Sequence, residues 1–290
     1  MHQARLVQSL LAKCGAVSEL KTYKTVGDKR LDEPLASIGA KGLFTQELEA
    51  DLAAGRVDCC VHSLKDLPTE SPAGLEVGAL LAREDPRDVL VSEPRRAFDA
   101  LPENARVGTS SPRRRAQLLA VRPDLEVADA RGNVDTRIRR LREGRWDALV
   151  LARAGLARLG RLSDACDVFP ETTMLPAPGQ GALGVFARRD DRGTLELLRP
   201  LDDASSRAEV LAERAFLRVL EAGCRAPVAA LGRCAAGRVR LTGAVFSTEG
   251  DQAFRGEREG AAGDAESVGA DLGRTLLERG AAAWLLAERT

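Results

Sequence analysis

A helical run that ends at glycine and passes into a short apolar run occurs twice in this chain, and it restricts the fold to one in which helices and strands alternate. Leu52-Ala53-Ala54-Gly55-Arg56-Val57-Asp58 leads into the apolar run Val57 to Val61, and Leu141-Arg142-Glu143-Gly144-Arg145-Trp146-Asp147 leads into Ala148 to Ala152. Two similar lobes facing each other across a cleft would produce this echo. Chance would also produce it, since Gly-Arg-x-Asp is short.

The remaining elements follow the same logic. Leu6, Val7, Leu10, Leu11 and Cys14 predict a helix over 3–14, and Phe44 to Ala54 predicts another. Leu20 to Val26 is a candidate strand. Strands are expected at Leu75–Leu81, Val89–Ser92, Arg106–Gly108 and Leu125–Ala130. The polar, proline-containing stretch Arg83-Glu84-Asp85-Pro86-Arg87-Asp88 reads as a hinge into a second lobe. Leu175-Pro176-Ala177-Pro178-Gly179-Gln180-Gly181-Ala182 reads as the return crossing. Beyond it, helices at Leu195–Leu201, Ala208–Leu220 and Ala265–Glu278, with strands at Val228–Leu231, Val239–Leu241 and Gly243–Phe246, describe a small α+β domain. The expected division is 1–82 with 182–200, then 87–176, then 204–290.

Charge enters the argument locally. Lys plus Arg and Asp plus Glu both total 43, yet Arg106 to Arg161 contains 14 arginines, no lysine and six acidic residues. Arginine forks suit bidentate recognition of carboxylate or phosphate, although solvated helix faces account for many of them. Aromatic residues make up only 3% of the chain, which argues against single-stranded nucleic acid bound by stacking. No apolar run reaches the ~18 residues of a membrane span, and no secretory leader is expected. The six cysteines form no Cys-x-x-Cys pair, so a reducing cytoplasm is expected, and the two histidines exclude a histidine-rich metal site.

Three stretches carry candidate chemistry. In Val61-His62-Ser63-Leu64-Lys65-Asp66-Leu67-Pro68 an ammonium and a carboxylate follow a strand, where ligands bind in open α/β sheets; a plain solvated ion pair is the alternative. In Thr109-Ser110-Ser111-Pro112-Arg113-Arg114-Arg115, Ser111 is a good N-cap and Pro112 fits the first helical position. Arginines there oppose the helix dipole, and a docked anion would resolve the opposition; a solvated basic turn is the alternative. Cys224 sits in a Gly-Cys loop beside Arg225, a setting that favours thiolate, against the usual inert role of a free cysteine.

Taken together and in order, these stretches resemble the porphobilinogen deaminase (hydroxymethylbilane synthase) family. The matching residues are Val61 to Pro68, Arg83 to Asp88, Gly108 to Arg114, Arg131-Gly132-Asn133-Val134-x-Thr136-Arg137, Leu175 to Ala182 and Gly223-Cys224-x-x-Pro227. The resemblance implies two α/β lobes of the type II periplasmic-binding-protein kind around a cleft, plus a small α+β C-terminal domain. It implies a dipyrromethane cofactor joined by a thioether to Cys224. Lys65, Asp66, Thr109, Ser110, Ser111, Arg113 and Arg114 would contact that cofactor. Arg131, Arg137, Arg158, Lys41 and Gln180 would bind substrate or chain carboxylates. Four porphobilinogen units would be condensed into a linear tetrapyrrole with loss of ammonia, and Asp66 would stabilise the cations that form and move protons. A cytoplasmic monomer without metal, nucleic acid or membrane partner is implied.

The chain departs from the pattern twice. Gln3-Ala4 aligns just after the family's first strand and its Arg-x-Ser-x-Leu-Ala motif, so the first lobe is expected to lack that strand. A start assigned too far downstream is one account, and a truncated inactive homologue is another. Ser37 stands where many members carry a lysine, while Lys41 is retained. A non-catalytic two-lobed anion-binding protein is the competing class; it explains the arginines but not Cys224 or Asp66.

Overall fold

The computed structural model of the protein describes residues 2–23, 46–70, 72–223 and 226–287. Helices α1 (His2–Lys13) and α2 (Gln46–Ala53) precede strands β1 (Cys59–Ser63) and β2 (Leu75–Leu80). Then β3 (Asp88–Ser92), β4 (Arg106–Gly108), α3 (Pro112–Val121), β5 (Glu126–Ala128), α4 (Val134–Arg142), β6 (Ala148–Ala152) and α5 (Arg153–Arg158) follow. After them come β7 (Asp167–Val168), β8 (Leu183–Arg188), α6 (Arg192–Leu198) and α7 (Ala204–Val219). The C-terminal elements are β9 (Val228–Ala235), β10 (Arg238–Phe246), β11 (Ala253–Ala261), α8 (Ala265–Leu276) and α9 (Ala282–Ala287).

The chain packs as two units, Met1–Arg83 with Ala182–Arg207 and Glu84–Gly181 with Ala208–Thr290. In the first, β8 lies between β1 and β2 and is antiparallel to both. Val7 and Leu11, four residues apart on α1, bury one helical stripe in a core with Ala79, Leu183 and Val185.

The second unit holds a five-stranded sheet in the order β5-β4-β6-β3-β7. Strands β5, β4 and β6 are parallel, while β3 is antiparallel to β6 and β7. Alternate residues of the central strands feed different cores: Leu90 and Val150 join Val107 and Leu118, whereas Val89, Val91, Leu149 and Leu151 join Leu141 and Trp146. Burial on both faces is why these strands read as unbroken apolar runs. The C-terminal sheet, β11-β10-β9, is wholly antiparallel and has its own core of Phe216, Leu220, Val239, Leu241, Leu272 and Leu276.

The echo of Gly55 and Gly144 has a common backbone cause. Gly55 N–H donates to Leu52 O and Arg56 N–H to Asp51 O; Gly144 N–H donates to Leu141 O and Arg145 N–H to Arg140 O. Both are Schellman closures, which require the left-handed φ of +70° and +78° found at these glycines.

Several boundaries differ from expectation. β1 starts at Cys59 rather than Val57, because Arg188 Nη1 donates to Val57 O at 2.7 Å and removes that carbonyl from the ladder. α7 starts four residues before Ala208, since Asp203 Oδ1 accepts from Ser206 N–H at 2.7 Å and supplies the cap. β8 lies just beyond the expected crossing, and β11 escapes an apolar reading because Arg255, Glu257 and Glu259 face solvent. Residues 20–23 form no strand, and the rest of that candidate lies outside the described residues.

Candidate active site

Strand direction gathers the second unit's polar residues at one edge. β4, β5 and β6 run parallel and end at Gly108, Ala128 and Ala152. β3 runs the other way, and its first residue, Asp88, is in register with Ala152. Thr109–Ser111, Asp129–Asn133, α5 and Asp88 therefore share the carboxyl edge of the parallel strands, the ligand-binding edge of such sheets.

The loops at this edge are stitched together. Thr109 N–H donates to Ala128 O at 2.8 Å. Ser110 Oγ accepts from Ala130 N–H at 3.0 Å and donates to Ala130 O at 3.2 Å. Ser111 N–H donates to Thr109 Oγ1 at 3.2 Å. Ser111 occupies the N-cap of α3 with no side-chain bond to a helix amide, and Pro112 is the first helical residue. Asn133 caps α4, its Oδ1 accepting from Thr136 N–H at 2.8 Å, which sets Arg137 in the first turn. Arg131 is partly exposed, its Nη2 3.9 Å from Asp129 Oδ2. Arg158 ends α5, and its Nη2 donates to Gly181 O at 2.7 Å.

Arg113 and Arg114 do not lie in a solvated turn. They are 3% and 7% exposed, and both converge on Asp88, which is fully buried. Arg114 donates to Asp88 Oδ1 from Nη2 at 2.7 Å and from Nε at 3.1 Å, and its Nη1 donates to Val150 O at 3.0 Å. Arg113 Nη1 lies 2.8 Å from Asp88 Oδ2 and donates to Leu175 O at 2.7 Å. Burial acts to raise the Asp88 pKa, but the two guanidiniums outweigh it and hold the carboxyl below the usual range. Burial lowers the pKa of Arg113. One carboxylate against two guanidiniums leaves a buried positive charge, and Arg113 Nε has no acceptor.

Gln180, which the motif implied as a substrate ligand, makes two hydrogen bonds within the protein. It is 1% exposed, and its Nε2 donates to Pro86 O at 2.7 Å and to Asp88 Oδ1 at 2.9 Å. Both amide hydrogens are thus taken up inside the protein.

In the first unit, Lys65 and Asp66 lie in a single 3₁₀ turn, Leu64–Asp66, immediately after β1. Leu64 is buried and anchors the turn, Lys65 is half-buried and the Asp66 carboxylate is exposed. Ser63 Oγ accepts from Gln3 Nε2 at 2.8 Å. The structure thus brings Thr109, Ser110, Ser111, Arg113, Arg114, Arg131, Arg137 and Arg158 to one sheet edge, and places Lys65 and Asp66 in the other unit. Lys41 and Cys224 lie outside the described residues.

The sequence reading missed Asp88, Gln117 and Glu213. Asp88 was absorbed into a polar hinge, although a carboxylate opening a fully buried strand is itself a signal. Glu213 is fully buried and accepts from Gly179 N–H at 2.6 Å and Gly232 N–H at 2.7 Å. Among the described residues no group of three or more His, Cys, Asp or Glu side chains forms a metal site, and no helix is long and apolar enough to cross a membrane.

Two family models match the chain: "Porphobilinogen deaminase, dipyromethane cofactor binding domain" over residues 1–196, and "Porphobilinogen deaminase, C-terminal domain" over 207–278. The porphobilinogen deaminase of Pelotomaculum thermopropionicum is 50% identical over 283 residues, covering 97% of this chain and 91% of that one. That of Rubrobacter xylanophilus is 50% identical over 97% of this chain and 92% of its own. That of Syntrophomonas wolfei is 46% identical over 100% of this chain and 95% of its own. Among solved structures, the Bordetella pertussis BvgS VFT2 domain is similar at a TM-score of 0.40 and 16% identity, covering 68% of this chain and 76% of that one. By sequence, over nearly its whole length, the chain belongs to the porphobilinogen deaminase family.

Proposed function

We propose that the protein is a hydroxymethylbilane synthase: a transferase of tetrapyrrole biosynthesis that condenses four porphobilinogen molecules into a linear tetrapyrrole with release of ammonia. The observation that carries this reading is the half-compensated arginine pair at the sheet edge. Two buried guanidiniums with one carboxylate, and a buried Nε without an acceptor, suit a ligand bearing carboxylates. A dipyrromethane, with acetate and propionate arms, is such a group. When bound, through a thioether to Cys224, it supplies the pyrrole carbon on which the product chain is built.

The protein's own residues then divide the work. Arg113 and Arg114, with Thr109, Ser110 and Ser111, hold the cofactor's carboxylates; Lys65 adds an ammonium. Arg131, Arg137, Arg158 and Lys41 take the carboxylates of incoming substrate and growing chain, since guanidinium forks bind such groups bidentately. Asp66, exposed at the end of β1, offers its carboxylate to pyrrole N–H groups. It stabilises the positive charge that develops on the substrate as ammonia leaves, and it accepts a proton after the carbon–carbon bond forms. Such fixed electrostatics contribute several kcal/mol, and general acid–base help is worth ~10²–10⁴-fold. Free thiols at the five described cysteines suit a reducing cytoplasm, where we place the protein as a monomer.

Asp66→Ala tests the assignment. Porphobilinogen consumption should fall at least ~10²-fold while the melting temperature holds, because an exposed carboxylate contributes little to the fold. Normal turnover by this variant would remove Asp66 from the chemistry.

A further inference from the structure

We infer that Asp88 is a positioning residue, the resident counter-ion that aims Arg113 and Arg114 at their ligand. This rests on the proposed function, which gives the arginines a carboxylate ligand to hold.

The geometry assigns Asp88 this role in three steps. First, Asp88 is anchored independently of the arginines. It opens β3 in register with Ala152, its carbonyl accepts from Phe169 N–H at 3.0 Å, and Gln180 Nε2 donates to Oδ1 at 2.9 Å. Second, each oxygen faces a different guanidinium: Oδ1 accepts from Nε and Nη2 of Arg114, and Oδ2, with no hydrogen bond of its own, makes an ion pair with Nη1 of Arg113 at 2.8 Å. Among the described residues no other carboxylate pairs with either arginine. Third, the compensation is incomplete, so the pair keeps a positive charge with Arg113 Nε still lacking an acceptor. Asp88 therefore holds both side chains in place and leaves one positive charge for a further carboxylate to balance.

Asparagine cannot substitute. Its amide nitrogen would set a donor against one of the two guanidiniums and displace it. Alanine would leave a cavity the size of a carboxylate beside two buried cations, which formate can fill and neutral formamide cannot neutralise.

The test uses the full-length holoenzyme and Asp88→Asn and Asp88→Ala. Both variants should lose at least about tenfold in kcat/KM for porphobilinogen. Formate should restore at least about threefold of the activity of Asp88→Ala and raise its melting temperature by a few degrees, with formamide doing neither. The wild type should show no such formate dependence. Unchanged kcat/KM in Asp88→Asn, or equal responses of Asp88→Ala to formate and formamide, would overturn the role of Asp88. The melting data stand apart from turnover. A formate-selective rise in a chain that never consumes porphobilinogen would keep Asp88 as the arginine counter-ion and defeat the functional reading instead.

Discussion

Gln117 grips the backbone of Leu175 from both sides: its Oε1 accepts from Leu175 N–H at 2.8 Å and its Nε2 donates to Leu175 O at 3.0 Å. Gln117 lies on α3 one turn beyond Arg113, and Leu175 opens the crossing that carries Gln180. The helix that bears the arginines and the segment that clamps Asp88 are thus locked to each other by one buried amide.

Replacing Gln117 with Leu keeps the volume and removes the grip. Leu175 O retains Arg113, but Leu175 N–H is left buried without an acceptor, which costs roughly 1–3 kcal/mol. Urea denaturation should show the unfolding free energy falling by that amount, through a lower midpoint with the m-value unchanged. An unchanged midpoint would mean that water replaces the amide.

Gly250 makes a second contact with the same helix. Its φ is +77°, and a Cβ added there would lie 1.9 Å from Ala116 O. Gly250→Ala should therefore destabilise the protein by about 2–3 kcal/mol, through backbone strain and displacement of α3. Gly263→Ala serves as the control, since nothing lies within 4 Å of its added Cβ. Equal melting temperatures for the two variants would contradict the contact.

His62, buried beside Phe186 at 5.5 Å between ring centroids, gives the fold a pH dependence. Burial lowers its pKa from 6.5 to about 4. Between those values the unfolded chain binds a proton that the folded chain does not. The stabilisation is complete above the unfolded value of 6.5 and is lost as pH falls towards 4, a change of roughly 3 kcal/mol. Urea midpoints at pH 7.5 and 4.5 should differ less in His62→Leu than in the wild type. The same difference in both proteins would assign the acid sensitivity to other groups.

The regular elements were legible because they follow local rules. Apolar runs buried on both faces, as in Val89–Ser92 and Ala148–Ala152, identify themselves without knowledge of their neighbours. So do glycine stops such as Gly144. Ser111 and Pro112 marked the start of α3 for the same reason. The buried polar network was not legible, because its partners are far apart in sequence: Asp88 and Arg114 are separated by 26 residues, and Gln117 and Leu175 by 58. From the sequence, Arg113 and Arg114 looked like a basic turn in search of an anion. The fold supplies one such anion itself, Asp88, and one positive charge of the pair stays uncompensated by it. The motif marked Gln180, but its hydrogen bond to Asp88, 92 residues away, was not legible. β11 was missed because its solvent-facing charges hide the pairing with β10.

Under the proposed function, this chain grows a tetrapyrrole on a primer attached to its own cysteine. The intact mass of freshly purified protein, followed by peptide mapping, tests it most directly. The expected mass exceeds that of the sequence by one dipyrromethane, located on the peptide containing Cys224 and absent from Cys224→Ser. A chain at its sequence mass, with a free Cys224 thiol, that still converts porphobilinogen to a linear tetrapyrrole would contradict it.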